Sequence, residues 1–221
     1  MFVISFAPLI DLEESAMTIL FLSNNPSSLR LVDVLRTQWG ESVAHYEEPL
    51  SPEILRDSNP DWIVSYNYRH IVKRFVFETH RHRVINLHIS LLPHNRGADP
   101  NIWSFLDDTP KGVSIHEMDE GIDTGPILLQ QEVVFDDSVS LRSAYERLND
   151  TIVHLFGANW DRIRTQQITA IPQPAGGRTH RRRELASLFP LLEQLNWNVT
   201  PAKLRELFRQ TTGETHSQPT L

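Results

Sequence analysis

Residues 84–100 have the sequence "VINLHISLLPHNRGADP". An apolar strand-like run ends there in Asn86 and His88 and leads into a loop. Residues two apart in a strand point the same way, so these two side chains project together with Leu87 behind them. An amide beside an imidazole can bind a developing oxyanion and move a proton. An isolated pair of this kind is more often the polar end of a strand, so the interpretation needs a second motif.

Strands alternate with helices on the amino-terminal side of this stretch. Segments with helical periodicity separate the strand-like runs 18–22, 42–46, 61–66 and 83–88. This alternation predicts an α/β fold with a doubly wound parallel sheet and right-handed crossovers. Such sheets bind ligands beyond the carboxyl ends of their strands. The first strand-to-helix turn, "SNNPSS", has no glycine, so the dinucleotide-binding fingerprint is absent.

The sequence also predicts how the chain is divided. We expect a catalytic domain at 17–165 and a C-terminal strand and helix extension at 166–211. An N-terminal extension, 1–16, is expected to be disordered or to lie upstream of the true start at Met17, and a disordered tail is expected at 212–221. In the extension, "ITAIP" lacks a strand partner and the apolar "LFPLLEQLNW" lacks cover. Both features predict a homodimer formed through the C-terminal region.

Composition excludes several classes of protein. The 221 residues contain no cysteine and carry a net charge of −7. Disulfides and thiolate metal sites are therefore excluded, broad nucleic-acid binding is disfavoured, and a cytoplasmic location is expected. No apolar run is long enough to span a membrane. The basic stretch "GRTHRRRE", 177–184, is either a solvated loop or a site for an anion or partner.

Other catalytic classes find little support. His80 and His82 alternate with Arg81 and Arg83, whose charge opposes a cation, so we expect no metal site. The chain has no G-x-S-x-G motif, so Ser90 is not predicted to be an esterase nucleophile.

The second motif is "HEMDEGIDTGPI", residues 116–127, an acidic loop bounded by glycines between two strand-like runs. A carboxylate presented there can orient an imidazole. "NLHISLLPHNRG" followed by "GVSIHEMDEGIDTGPILLQ" resembles the formyltransferases that use N10-formyltetrahydrofolate, among them glycinamide ribonucleotide and methionyl-tRNA formyltransferases. Their pattern is Asn-x-His-Pro-Ser-Leu-Leu-Pro, then a His, an Asp seven residues later, and Gly-Pro. The matching positions are Asn86, His88, Ser90, Leu91, Leu92, Pro93, His116, Asp123, Gly125 and Pro126.

The resemblance covers about residues 17–136 and implies a Rossmann-like formyltransferase fold. Ile89 stands where the family usually has proline. The longer phrase "HISLLPHNRGADPNIWSF…DTPKGVSIH" is similar to the nucleotide-sugar N-formyltransferases, as is the tail "GGRTHRRRELASLFPLL". Those enzymes formylate the amine of a nucleotide-linked 4-amino-4,6-dideoxyhexose. The methionyl-tRNA enzymes carry a further β-barrel domain, for which we expect no room in 221 residues.

The resemblance implies a role for each residue of the motifs. His88 would take the proton of the attacking amine, and Asn86 would donate to the oxyanion, a contact typically worth ~3 kcal/mol of barrier. Asp123 would orient His88 or a water, with His116 supporting Asp123. The expected folate contacts are Arg69, Ile71, Asp119, Glu120 and Gly121. The expected sugar-nucleotide contacts are Tyr68, Asn95, Arg96, Asp99 and Trp103, with Arg96 on phosphate.

The implied reaction is formyl transfer from N10-formyltetrahydrofolate to a nucleoside-diphosphate-linked amino sugar, of the dTDP-4-amino-4,6-dideoxyglucose type. Bacterial surface polysaccharide synthesis, such as that of a lipopolysaccharide O-antigen, is the implied context. Three alternatives stay open: transfer to another small amine, hydrolysis of formyltetrahydrofolate, and a catalytically silent sensor of folate or nucleotide sugar.

Overall fold

A computed structural model describes residues 16–213, in which six strands form one mixed sheet in the order β2-β1-β3-β4-β6-β7. The strands are β1 (Thr18–Leu22), β2 (Ser42–Tyr46), β3 (Trp62–Tyr66), β4 (Val84–His88), β6 (Gly112–Glu117) and β7 (Ile127–Glu132), while β5 (Arg96–Gly97) and β8 (Thr179–His180) form a separate parallel ribbon. The helices are α1 (Leu29–Gln38), α2 (Pro52–Ser58), α3 (Arg74–Thr79), α4 (Pro100–Leu106), α5 (Leu141–Arg164), α6 (Phe189–Gln194) and α7 (Pro201–Thr212). None of the helices in 16–213 is long and apolar enough to span a membrane.

The predicted α/β class is confirmed, but the sheet is parallel only in its first part. Strands β2, β1, β3 and β4 are parallel to their neighbours. Strand β6 runs antiparallel to both β4 and β7. A short loop can join β6 to β7 because antiparallel neighbours need no crossover helix. The direction of the sheet therefore changes beside β4, the strand that carries Asn86 and His88.

The two faces of the sheet are covered differently. On one face, Ile85 and Leu87 belong to an apolar core formed with α1 and with the buried side of α5, including Phe156 and Trp160. On the opposite face, α2 and α3 cover the strands on the β1 side. Alternation along β4 points Asn86 and His88 to this second face. There they lie under the loop 118–126, whose contacts are described below.

The predicted C-terminal extension exists, but its apolar side packs inside the chain. Leu188 and Leu192 are fully buried in a second cluster with α4, α7 and the start of α5. "ITAIP" forms a single antiparallel bridge, in which Ile127 and Ile171 exchange backbone hydrogen bonds of 2.7 and 2.8 Å. The two segments that predicted a homodimer thus have their partners within one chain. They give no support to dimerisation, which stays a prediction.

The ends of the chain correct one boundary. Helix α7 continues to Thr212 and is capped by Gly213, whose φ of 69° is left-handed. The order of the structure therefore extends past the predicted start of the tail at 212. The rest of that tail, and all of the predicted N-terminal extension except Ala16, lie outside the described residues.

We expect Leu192→Ala to lower the free energy of unfolding by about 3 kcal/mol, because a fully buried leucine leaves a cavity. The matched control is Leu195→Ala, at a side chain that is 42% exposed, which should cost less than about 1 kcal/mol. Urea denaturation at two protein concentrations measures both. Equal losses, or a Leu195→Ala midpoint that depends on protein concentration, would show that a second copy covers this surface.

Candidate active site

The register between β4 and β6 brings four polar side chains together. Asn86 lies opposite His116, and His88 lies opposite Ser114. Because alternate residues share a face, all four point to the side of the sheet that α1 and α5 leave uncovered. Nδ2 of Asn86 lies 3.2 Å from Nε2 of His116. The sheet thus builds the floor of a polar site.

Asp123 completes the site from the loop between β6 and β7. Its Oδ1 accepts a hydrogen bond of 3.1 Å from Nδ2 of Asn86 and lies 3.5 Å from Nε2 of His116. Its Oδ2 accepts from the N–H of Gly97 at 2.8 Å and lies 3.6 Å from Nδ1 of His88. The structure therefore gathers Asn86, His88 and His116 around the carboxylate of Asp123, although the four residues come from distant parts of the sequence.

The surroundings keep the Asp123 carboxyl ionised. Burial favours the neutral acid, but attraction to the His88 and His116 rings in their protonated form and the hydrogen bond from the N–H of Gly97 outweigh it. Together they hold the pKa of Asp123 well below its ordinary value. Asp123 is therefore an acceptor at neutral pH, suited to orienting a donor or stabilising a nearby positive charge.

Backbone carbonyls select the tautomers of the two histidines. Nε2 of His88 lies 3.0 Å from the carbonyl of Asn95, and a carbonyl can only accept, so Nε2 carries the hydrogen. The Nδ1 atom of a neutral His88 then has its lone pair toward Asp123 and is free to take a proton. Nδ1 of His116 lies 2.7 Å from the carbonyl of Glu117, so its Nε2 can accept from Asn86.

Asn86 differs from its predicted role in one respect. Its two amide hydrogens point to Asp123 and to His116. The opposite orientation of the amide would place its oxygen next to the carboxylate oxygen, where the two would repel each other. The predicted donation to an oxyanion therefore requires that one of these bonds be exchanged when substrate binds.

A family model described as formyl transferase matches residues 32–156, more than half of the chain. The chain belongs to the formyl transferase family.

Relatives of this formyl transferase family member include a curated methionyl-tRNA formyltransferase and solved formyltransferase structures. The methionyl-tRNA formyltransferase of Thermodesulfovibrio yellowstonii is 34% identical over 162 residues, which are 71% of this chain and 50% of that protein. The chain spans about half the length of the curated relatives it matches. The formyltransferase PseJ from Anoxybacillus kamchatkensis, in complex with UDP-4,6-dideoxy-4-formamido-L-AltNAc and tetrahydrofolate, is 43% identical. That match covers 84% of this chain and 96% of PseJ with a TM-score of 0.76.

A 4-N formyltransferase from Francisella tularensis shares the fold at 21% identity and a TM-score of 0.67, over 76% of this chain and 77% of that one. The predicted Rossmann-like formyltransferase fold is thereby confirmed.

The segments predicted to contact folate are partly exposed in this family member. The loop after β3 leaves Ile71 72% exposed, and Arg69 is exposed with its N–H bonded to Oδ1 of Asn24 at 3.0 Å. Nε of Arg74, at the start of α3, lies 3.7 Å from Oε1 of Glu120 in the loop 118–126.

Within the loop, Asp119 accepts from the Gly121 N–H at 3.0 Å and from the Thr124 hydroxyl at 2.6 Å. A Cβ at Gly121 would lie 2.0 Å from that hydroxyl oxygen, so a side chain does not fit there. The Asp119 side chain therefore shapes the loop, and Glu120 is exposed.

Two predicted sugar-nucleotide contacts, Asn95 and Arg96, have partners within the chain and stay predictions. Asn95 is 1% exposed, and its side chain bonds to Thr109 at 2.6 Å and to Asp107 at 3.4 Å, so it stabilises the loop after β4. Arg96 directs Nε and Nη2 to Oε1 of Gln173 at 3.1 and 2.7 Å, and Nη1 to the carbonyl of Gly176 at 3.3 Å. Both side chains therefore have hydrogen-bond partners within the chain, and Arg96 is partly exposed.

The other three predicted sugar-nucleotide contacts, Trp103, Tyr68 and Asp99, differ in their surroundings. Trp103 is 7% exposed and stacks on His180 with ring centroids 3.8 Å apart, so it is a core residue. The hydroxyl of Tyr68 donates to the carbonyl of Glu48, and burial raises the pKa of Tyr68 to about 12. Asp99 precedes α4 with a φ of 55° but does not cap it through its side chain. Its Oδ1 pairs with Arg182 at 3.0 Å, and burial raises the pKa of Asp99 despite that cation.

Sequence reasoning missed Gly97 and Gln173. A Cβ on Gly97, with its φ of 87°, would lie 2.2 Å from the carbonyl of His180, so the ribbon β5–β8 requires glycine there. The "RG" dipeptide was a signal for this, whereas nothing in the sequence around Gln173 distinguishes it from a surface residue. Between residues 16 and 213, no three His, Asp or Glu side chains gather as metal ligands would.

We expect the difference in free energy of unfolding between wild type and Asp123→Asn to depend on pH. The pKa of Asp123 is lower in the folded than in the unfolded protein, so its charge stabilises the fold above the unfolded value, about 3.9. That stability is lost as pH falls below about 4 toward the folded pKa. Urea denaturation from pH 7 to pH 3 should show the difference shrinking, while exposed Asp137→Asn serves as control. A difference that stays constant over this range would contradict the assigned ionisation.

Proposed function

We propose that this chain transfers a formyl group from N10-formyltetrahydrofolate to the C4 amine of a nucleoside-diphosphate-linked 4-amino-4,6-dideoxy sugar. The observation that carries the proposal is the gathering of Asn86 and His88 around the carboxylate of Asp123. The 43% identity to PseJ, over 96% of that protein, supports this acceptor class because PseJ was solved with a 4-formamido sugar nucleotide and tetrahydrofolate.

The proton path follows from the histidine tautomer. The acceptor amine must be neutral to attack the formyl carbon, and it becomes positively charged as the new C–N bond forms. His88 takes the amine proton at Nδ1, and the resulting imidazolium is stabilised by Asp123 at 3.6 Å. The C–N10 bond then breaks, and the proton passes to N10 of the departing folate, directly or through a water. Asn86 donates to the oxyanion once it exchanges one of its present bonds.

The folate lies, in this proposal, across the loop after β3 and the loop 118–126. Ile71 and Ile122 leave apolar surface exposed on these two loops, at 72% and 44%. An aromatic ring would cover such surface favourably. Arg69, Asp119, Glu120 and Gly121 remain the other proposed contacts, largely through backbone groups.

For the nucleotide, the PseJ complex favours uridine over the thymidine expected from the sequence. The proposed context remains bacterial surface polysaccharide synthesis in the cytoplasm. The homodimer remains a prediction.

Methionyl-tRNA is the second candidate acceptor, because relatives between 28% and 34% identical carry that activity in their names. The net charge of −7 disfavours a polyanionic substrate such as tRNA. The cluster Arg178, Arg181, Arg182 and Arg183 would be its natural contact.

An acceptor panel tests the proposal. The purified chain is given N10-formyltetrahydrofolate with UDP-, dTDP- and GDP-linked 4-amino-4,6-dideoxyhexoses, a 3-amino isomer and methionyl-tRNA, and products are followed by mass. We expect a formylated UDP-linked 4-amino sugar. Formate released without dependence on a sugar would indicate a hydrolase, formylated methionyl-tRNA would establish the second candidate, and no product would contradict the proposal.

The same assay identifies the residues. His88→Asn and Asp123→Asn should each lower kcat by about 100-fold or more, the usual contribution of a positioned proton-transfer group. His154→Asn, at an exposed position of α5, is the matched control and should leave turnover unchanged. Circular dichroism checks that each variant is folded. Near-normal turnover in either site variant would remove that residue from the mechanism.

A further inference from the structure

One glutamine of the C-terminal extension contacts the catalytic loop. Nε2 of Gln173 donates to the backbone carbonyls of Asp123 at 2.7 Å and of Gly125 at 2.8 Å. Its Oε1 accepts from Nε and Nη2 of Arg96 at 3.1 and 2.7 Å. Both hydrogens and the oxygen of this amide are therefore used, and they join the loop 118–126 to β5.

The loop needs such support because its backbone is strained. Asp123 has a φ of 52°, in the left-handed region, which is unfavourable for a residue with a Cβ. A conformation of this kind persists only where its surroundings hold it. Gln173 bonds the carbonyls on both sides of Thr124, and these bonds fix the turn in which Asp123 stands.

The segment that carries Gln173 also fixes the other partner of the carboxylate. The N–H of Arg96 donates to the carbonyl of Arg178 at 2.9 Å, and the N–H of Ala98 donates to that of His180 at 3.1 Å. These bonds hold Gly97, whose N–H donates to Oδ2 of Asp123. Gln173 therefore holds the backbone carbonyl of Asp123, and Gly97 holds its carboxylate.

We propose that Gln173 is a positioning residue of this active site, which keeps the Asp123 carboxylate at His88 while Arg96 keeps Gln173 in place. Its kinetic consequence rests on the proposed formyl transfer. Its structural consequence, a loop 118–126 held by the C-terminal extension, does not.

Two variants separate the contact of Gln173 with Arg96 from its contact with the loop 118–126. Gln173→Ala removes both contacts. Gln173→Glu still accepts from Arg96 but cannot donate to the carbonyls of Asp123 and Gly125. The matched control is Gln167→Ala, an exposed glutamine of the same extension.

Hydrogen–deuterium exchange without substrate gives the structural readout. We expect peptides covering 118–126 to exchange faster in both Gln173 variants than in wild type and in the control, with peptides of β1 and β3 unchanged. If exchange of this loop is unchanged in Gln173→Ala, the proposal is overturned whatever the turnover.

Kinetics give the second readout. Both Gln173 variants should lower kcat by roughly 10- to 100-fold, as small displacements of catalytic groups do, with little change in the KM of the acceptor. The effect of Gln173→Ala should largely vanish in an Asp123→Asn background, since a residue that acts through Asp123 has nothing left to position.

Additive effects in that double variant, or normal kcat in Gln173→Glu, would overturn the positioning role. A wild type that transfers no formyl group while the loop exchange changes as expected would contradict the proposed function and, with it, the catalytic half of this proposal. The loop contact would then stand without a catalytic role.

Discussion

The rest of the site depends on one buried carboxylate that must stay ionised. Asp123 is 13% exposed, and a charge so placed is costly unless hydrogen bonds and opposite charge compensate for it. Its partners are Asn86 on β4, His116 on β6 and Gly97 on β5, with the His88 ring alongside. The reversal of strand direction beside β4 serves this need, because it sets His116 opposite Asn86.

The C-terminal extension has two roles in this arrangement. Its helices complete an apolar cluster with α4 and α5, and its residues 173–180 form the amide contact and the ribbon that surround Asp123. The core that stabilises the extension is thus linked to the geometry of the site. Without the segment after α5, Asp123 would lack Gln173, and nothing in this ribbon would hold Gly97 in place.

The parts predicted from the sequence are those with a short-range pattern. Asn86 and His88 follow from the two-residue period of a buried strand, and His116 and Asp123 follow from a motif at fixed spacing. The sequence does not reveal partners that are distant in the chain. Gln173 and Gly176 accept hydrogen bonds from Arg96, and His180 stacks on Trp103. The antiparallel direction of β6 depends on loop geometry, which periodicity does not encode.

A crystal structure of this chain with tetrahydrofolate bound tests the central claim most directly. The account predicts that N10 of the folate lies within about 3 Å of His88, Asn86 or Asp123, or one water away from them. Folate bound with N10 out of reach of all three side chains would contradict the assignment of this carboxylate-centred site to formyl transfer.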